Sequence, residues 1–306
     1  MAKPKNPYLK RANEQHEYTV EQVRELQRCM DDPEYFIHNY CQLQHATEGS
    51  MPFHLRDYQR RIVKCFNENR LSIALAPRQI GKSWIAGAYL LWFAMFKFEK
   101  TVLILSNKND NAMEMIHRVR FIYERLPHWI KPGLADDGWN KHTVGFDNGS
   151  RIISQATSEN SGRGLAVSLL FLDEFAFVRD TVAEEFWTSV SPTLATGGQC
   201  IICSTPNGDS NRFAQLWRGA LLNANGFAGI EIKWNEPPGR DQKFKDQEIA
   251  KIGETRWKQE YECMFISSDP LLIDTVVLAM LTKKVEESPV FGTIGEIVFY
   301  KQPLKG

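Results

Sequence analysis

The stretch 71–83, LSIALAPRQIGKS, constrains this chain more than any other. Five residues of strand character, Ser72 to Ala76, run into Pro77, Arg78, Gln79, Ile80, Gly81, Lys82 and Ser83, and a long apolar helix pattern follows at once. Strand, tight loop, Gly-Lys-Ser and helix form the context of a phosphate-binding loop, in which backbone N–H groups and the positive end of the helix cradle an oligophosphate. The whole loop, Pro77 to Ser83, would line the phosphates of ATP, with Lys82 reaching the β/γ-phosphates and the Ser83 hydroxyl helping to hold Mg²⁺. Ala76 stands where the usual motif has its first glycine, so the stretch by itself also fits an ordinary strand-to-helix turn. Partners elsewhere in the chain must decide.

The surrounding pattern alternates. Beyond the loop strand, short apolar runs predict strands at 101–106, 151–155, 168–173, 199–204 and 229–234, with helices at 82–97, 110–125, 182–189, 212–223 and 242–262. Continuously apolar strands alternating with helices indicate a mainly parallel sheet covered on both faces, an α/β fold. Helical spacing also predicts helices at 19–29, with Thr19 as N-cap, from Asp32 through Tyr40, and at 55–67. Residues 132–148, rich in Gly and Asp, read as a loop or short hairpin. The character changes near Asn235-Glu236-Pro237-Pro238-Gly239, which divides the chain into N-terminal helices at 1–54, a core at 55–234 and a small, mostly helical hinge or lid subdomain at 235–306. The N-terminal helices are expected to pack partly with that subdomain.

The partners sit at strand ends. Leu169 to Glu174 is an apolar strand closing in two carboxylates. An enzyme built on a phosphate loop needs an acid at a neighbouring strand end for Mg²⁺, which Asp173 supplies, and Glu174 is placed to orient the attacking water. Ser204-Thr205, again just after a buried strand, can sense the γ-phosphate and couple its loss to movement. Gln59, in a helix leading to the loop strand, carries an amide able to read the adenine edge, although a solvated glutamine is the plain alternative. Two arginines are candidates for stabilising transition-state charge: Arg78 inside the loop, and Arg163, whose flanking Gly162 and Gly164 let the backbone approach a neighbouring surface. Cys200 and Cys203 form a C-x-x-C, but on a strand their side chains face opposite ways.

Bulk properties narrow the class. The 306 residues carry 37 basic and 37 acidic side chains, so the protein does not coat nucleic acid by net charge, though a local basic track is compatible. Lys108, Arg118, Arg120 and Lys141 read as a solvated face. Six scattered cysteines suit reduced thiols, and the longest apolar run, 84–96, is too short to span a bilayer. A soluble intracellular protein is expected.

Taken together, these residues resemble the ATPase portion of large terminase subunits, the DNA-packaging motors of tailed phages, especially the T-even-like group. The resemblance covers about residues 30–270 and rests on DPEYF at 32–36, LRDYQ at 55–59, PRQIGKS at 77–83, ERLP at 124–127, DNGS at 147–150, GRG at 162–164, LFLDEFAFV at 170–178, STPNG at 204–208 and KQEYECMF at 258–265. The lack of the first glycine is usual in that group. The resemblance implies a P-loop ATPase of the additional-strand, catalytic-glutamate type. It carries over Gln59 to adenine, Lys82 and Ser83 to phosphates and Mg²⁺, Asp173 to Mg²⁺, Glu174 to the lytic water and Ser204-Thr205 to coupling. Arg163 acting in a neighbouring subunit's site is favoured as the finger, with Arg78 as the alternative or a γ-phosphate sensor. It also implies double-stranded DNA, a portal protein, a small terminase subunit and other copies in a ring as partners, in the host cytoplasm on the procapsid. An RNase-H-like nuclease domain follows in that group. Its acidic residues have no counterpart here, since Asp31-Asp32 and Asp136-Asp137 lie in cap or loop contexts, so the motor portion alone is expected. A single-lobe, helicase-like translocase and a non-hydrolysing portal-docking module are the competing readings.

Overall fold

A strand buried on both faces must be apolar at nearly every position, and that requirement is met by the runs that form the central sheet. The computed structural model describes residues 6–195, 197–266, 292–294 and 297–299. In chain order the elements are α1 (Val20–Asp31), α2 (Pro33–Tyr40), β1 (Gln42–His45), β2 (Gly49–Pro52), α3 (Asp57–Glu68), β3 (Leu71–Leu75), α4 (Lys82–Phe96), β4 (Thr101–Ser106) and α5 (Asn109–Arg125). They continue with β5 (Leu134–Trp139), β6 (Thr143–Phe146), β7 (Arg151–Ala156), β8 (Leu169–Asp173), α6 (Asp180–Ala195), β9 (Gln199–Ser204), α7 (Arg212–Leu221), β10 (Ala228–Glu231), α8 (Gln242–Ile252), α9 (Glu254–Glu260), β11 (Gly292–Ile294) and β12 (Ile297–Phe299).

The eight-stranded sheet has the order β10-β3-β9-β8-β4-β7-β6-β5. Neighbours from β10 to β7 are parallel, and only the β6 and β5 pairings are antiparallel. One strand, β9, therefore separates the phosphate-loop strand β3 from the carboxylate strand β8, the additional-strand arrangement that the resemblance implied. Successive residues alternate between two cores. Ala74, Ile104, Phe171 and Cys203 face helices α2 to α5, whereas Ile73, Leu103, Leu170 and Cys200 face α6 and α7. Cys200 and Cys203 thus point to opposite sides, and all six cysteines are free thiols.

Several elements differ from the sequence-based expectation. The region 132–148, expected as a loop or short hairpin, is the hairpin β5–β6, and beyond that expectation it extends the main sheet beside β7. Residues 42–52, which carry no strong strand pattern, form the β1–β2 hairpin. The single helix expected over 242–262 is two helices broken at Gly253, whose φ of 83° a side chain would resist. Of the N-terminal residues, Cys29, Phe36 and Ile37 join the core of α4, and Trp92 Nε1 donates to Cys29 O at 2.8 Å. Arg118 and Arg120 are half-buried rather than solvated, with guanidinium groups 5.7 Å from the Trp84 ring and 4.6 Å from Trp139. Among the described residues no helix is long and apolar enough to cross a membrane. Most of the expected subdomain beyond residue 266 lies outside the described residues.

Candidate active site

The carboxyl ends of β3, β8 and β9 meet at one edge of the sheet, because parallel strands all finish on the same side. The β3 end opens into the loop 77–81, where Gln79 and Gly81 both take left-handed backbone with φ of 58° and 84°. Gly81 is required twice over: its φ disfavours a side chain, and a Cβ there would sit 3.1 Å from Gln59 Nε2. Helix α4 starts at Lys82, so the N–H groups of its first turn face the loop.

Lys82, Asp173 and Glu174 converge. Lys82 Nζ lies 2.6 Å from Glu174 Oε1 as an ion pair, yet has no well-oriented hydrogen-bond acceptor. Burial alone would lower the Lys82 pKa, but the Glu174 and Asp173 carboxylates outweigh it and hold the ammonium above its ordinary range. Asp173 is buried, and its Oδ1 has no partner. Burial and then the neighbouring Glu174 carboxylate push its pKa up to about 6, against the pull of Lys82 and Arg118. A buried carboxylate oxygen without a donor, beside an ion-paired lysine, is an arrangement that a divalent cation would complete. Asp173 and the half-buried Ser83 fit that group.

Glu174 is held by its backbone. It has a left-handed φ of 50°, and its N–H donates to Cys203 O at 2.8 Å. Ser204 Oγ accepts from Ala176 N at 3.2 Å and donates to Glu174 Oε2 at 3.4 Å, while Ser204 O accepts from Ala76 N at 3.2 Å. Ser204 therefore touches the ends of all three strands, with Thr205 buried behind it. Gln59 is buried against the loop. Its Nε2 donates to Ile80 O at 3.2 Å and its Oε1 accepts from Arg56 N at 3.0 Å, so both ends of the amide are engaged within the protein. Pro77 and Ile80 are buried in the loop, and Arg78 and Gln79 are exposed.

The two arginines occupy different places. Arg78 Nε donates to the buried Glu260 carboxylate of α9 at 2.8 Å, and Arg78 N to Glu260 O at 3.0 Å. Arg163 is exposed on the loop between β7 and β8, where its Nε donates to Ser189 Oγ of α6 at 2.9 Å. No carboxylate among the described residues lies within ion-pair distance of it. Contacts that sequence reasoning did not single out come from the segment after residue 235. Besides Glu260, Gln259 Nε2 donates to Pro206 O at 3.0 Å, and Arg240 Nη2 donates to Arg78 O at 2.7 Å and Gln79 O at 3.1 Å. Gln259 and Glu260 lie in the KQEYECMF stretch and Arg240 in no motif, but no local pattern shows which loop they meet, because each partner is far away in the chain.

Comparison with known proteins agrees with this fold. The family described as terminase large subunit, T4likevirus-type, N-terminal, matches residues 73–275. The ATPase domain of the Thermus phage P74-26 large terminase, solved as an arginine-to-alanine mutant, is 19% identical, covers 70% of this chain and 95% of that one, and superposes with a TM-score of 0.56. The bacteriophage HK97 large terminase is 14% identical over 83% of this chain and 52% of its own, with a TM-score of 0.58. A large terminase from a thermophilic bacteriophage, solved in complex with ADP, is 11% identical over 69% and 54%, with a TM-score of 0.55. The chain spans about half the length of those last two proteins. At such identities the likeness establishes the fold, and the family match establishes the kinship: this chain belongs to the T4-like family of terminase large subunits and matches the N-terminal part of their architecture.

Proposed function

We propose that this chain hydrolyses Mg²⁺-bound ATP and is the motor part of a terminase large subunit, driving double-stranded DNA into a procapsid. The observation that supports this most directly is the convergence of Lys82, Asp173 and Glu174 at the mouth of the 77–83 loop, with the Lys82–Glu174 pair at 2.6 Å. Lys82 neutralises the β/γ-phosphates. Glu174, fixed by its strand-end backbone, orients the attacking water and draws off its proton. Asp173 and Ser83 would hold Mg²⁺, which would supply charge neutralisation for the phosphates. Ser204-Thr205 couples the site to the rest of the molecule, since Ser204 touches Glu174 as well as the backbone of Ala76 and Ala176. Gln59 is the adenine reader only if its amide exchanges one internal bond for the base; otherwise its work is to brace the loop. Portal, small terminase subunit and further copies in a ring are the partners of this reading, in the host cytoplasm, with residues 235–306 as a hinge or lid.

The direct test is ATP hydrolysis by the chain, alone and with double-stranded DNA, beside nucleotide affinity. Turnover that DNA stimulates supports the motor. Unwinding of a forked duplex would move the reading to a helicase, and partner binding without any turnover would make the chain a docking module. Absence of ATP binding would overturn the nucleotide site altogether.

Asp173 gives a pH signature. With its pKa at about 6, it is ionised above that value and protonated below it. Mg²⁺-dependent tightening of nucleotide binding is therefore expected to fade as pH falls through about 6, roughly tenfold per further unit, as protons compete for the carboxylate. The same raised pKa means that the Asp173 contribution to folding stability is present at low pH and lost as pH rises through about 6. Titrating Mg²⁺·ADP across this range by calorimetry checks it. Because the ADP phosphate also takes up a proton near this pH, Asp173→Asn is measured beside wild type, and the same pH dependence of the Mg²⁺ effect in both would exclude Asp173 as the ligand.

A further inference from the structure

A phosphate cradle works only if its peptide N–H groups point inward, and something must keep them so. In a trans peptide the C=O of one residue and the N–H of the next point in opposite directions. Three successive carbonyls of the loop are each held from outside. Arg240 Nη2 donates to Arg78 O at 2.7 Å and to Gln79 O at 3.1 Å, and Ile80 O accepts from Tyr58 Oη at 3.1 Å and Gln59 Nε2 at 3.2 Å. The N–H groups of Gln79, Ile80 and Gly81 are therefore turned the other way, and among the described residues none of them has a partner.

Arg240 itself is built in rather than draped. Its guanidinium lies 5.3 Å from the Phe244 ring and 5.5 Å from Tyr261, and Nη1 donates to Trp234 O at 3.3 Å. Phe244, Tyr261 and Trp234 also surround the fully buried Trp257, so the arginine rests on a small aromatic core. No carboxylate among the described residues forms an ion pair with it. A half-buried guanidinium without a directly paired carboxylate is costly, and here Nη2 goes to main-chain oxygens of the loop. Arginine suits the task because a planar fork reaches several carbonyls at once, whereas a lysine ammonium acts as a single point.

The geometry points to Arg240 as a positioning residue that shapes the phosphate cradle from behind, by fixing the Arg78 and Gln79 carbonyls so that the following N–H groups face an oligophosphate. This rests on the reading of 77–83 as a nucleotide loop and goes beyond it. The role belongs to a residue after position 235, so movement of that segment and the order of the cradle are one event.

The test compares wild type with Arg240→Met, which keeps the apolar stem on the rings, and Arg240→Lys. Affinities are measured for ATP and for inorganic tripolyphosphate, alongside thermal stability. Arg240→Met is expected to lose about tenfold or more in affinity for both ligands by a similar factor, with Arg240→Lys in between, and with turnover at saturating ATP reduced less than affinity. Wild-type affinity in Arg240→Met overturns the proposal while leaving the nucleotide site standing, and so does a loss matched only by a general fall in stability. Failure of wild type to bind ATP or tripolyphosphate removes the underlying reading instead. Hydrogen exchange on the wild-type chain needs no variant: the amides of 79–81 are expected to exchange readily and to become protected on adding Mg²⁺·ATP. Protection already present without ligand would show that they do not face an open cradle.

Discussion

Replacing Glu174 by glutamine is expected to lower ATP turnover by about 10²–10⁴-fold while ATP binds at least as tightly as before. The two halves of that result come from the same contact. The Glu174 carboxylate is positioned by main chain, through its own N–H on Cys203 O and the left-handed turn that follows β8, so an amide of equal size keeps the place and loses only the basicity. Its Oε1 is also 2.6 Å from Lys82 Nζ, and a γ-phosphate must compete with it for that ammonium. A neutral amide competes less, which frees Lys82 for phosphate. Lys82→Ala goes the other way: it removes the phosphate contact and leaves two neighbouring carboxylates, one of them buried, without their cation. Nucleotide affinity and single-turnover hydrolysis, measured on both variants, separate these outcomes. Turnover of Glu174→Gln within about threefold of wild type would take the water-activating role away from Glu174. Loss of ATP binding together with turnover would show that the substitution damages the loop instead.

Much of this site was legible because its signals are local. A loop between a buried strand and an apolar helix, and a strand that ends in two acids, need only period and punctuation to be placed, and parallel strands bring their ends to one edge. What was not legible is what meets the loop from elsewhere. Arg240 looks like an ordinary charge, and Glu260, though inside the KQEYECMF stretch, shows no sign of its partner, yet one holds loop carbonyls and the other holds the Arg78 side chain and N–H. The sequence shows that Gln59 carries an amide, not that both ends of it are spent on Ile80 and Arg56. Arg118 and Arg120 carry a period that reads as solvated, but the large rings of Trp84 and Trp139 cover them. The stretch 132–148 reads as a loop or short hairpin, but its place at the edge of the main sheet comes from pairing beside β7 and is not written in its own composition.

Arg163→Ala is expected to cost the most activity of any surface substitution, on the order of 10³-fold under conditions where chains associate. An arginine that serves its own site lies against its own phosphate loop. Arg163 does not: it stands on the 157–167 loop, exposed, held at Nε by Ser189 of α6, with its terminal nitrogens directed at no carboxylate among the described residues. Arg78, the other candidate, is tied by its Nε to Glu260 and would have to leave that buried carboxylate to reach a γ-phosphate. An arginine supplied by a neighbour makes specific activity a function of concentration, since a lone chain lacks part of its site. Turnover per chain is therefore expected to rise with protein concentration in wild type and to stay low and flat in Arg163→Ala. Mixing decides the point. Arg163→Ala has an intact Glu174 and lacks the arginine, whereas Glu174→Gln has the arginine and lacks the base, so the mixture should hydrolyse ATP faster than either variant alone. A wild-type rate independent of concentration, with no gain on mixing, would assign the charge to Arg78 within the same chain, and Arg78→Ala would then show the larger loss.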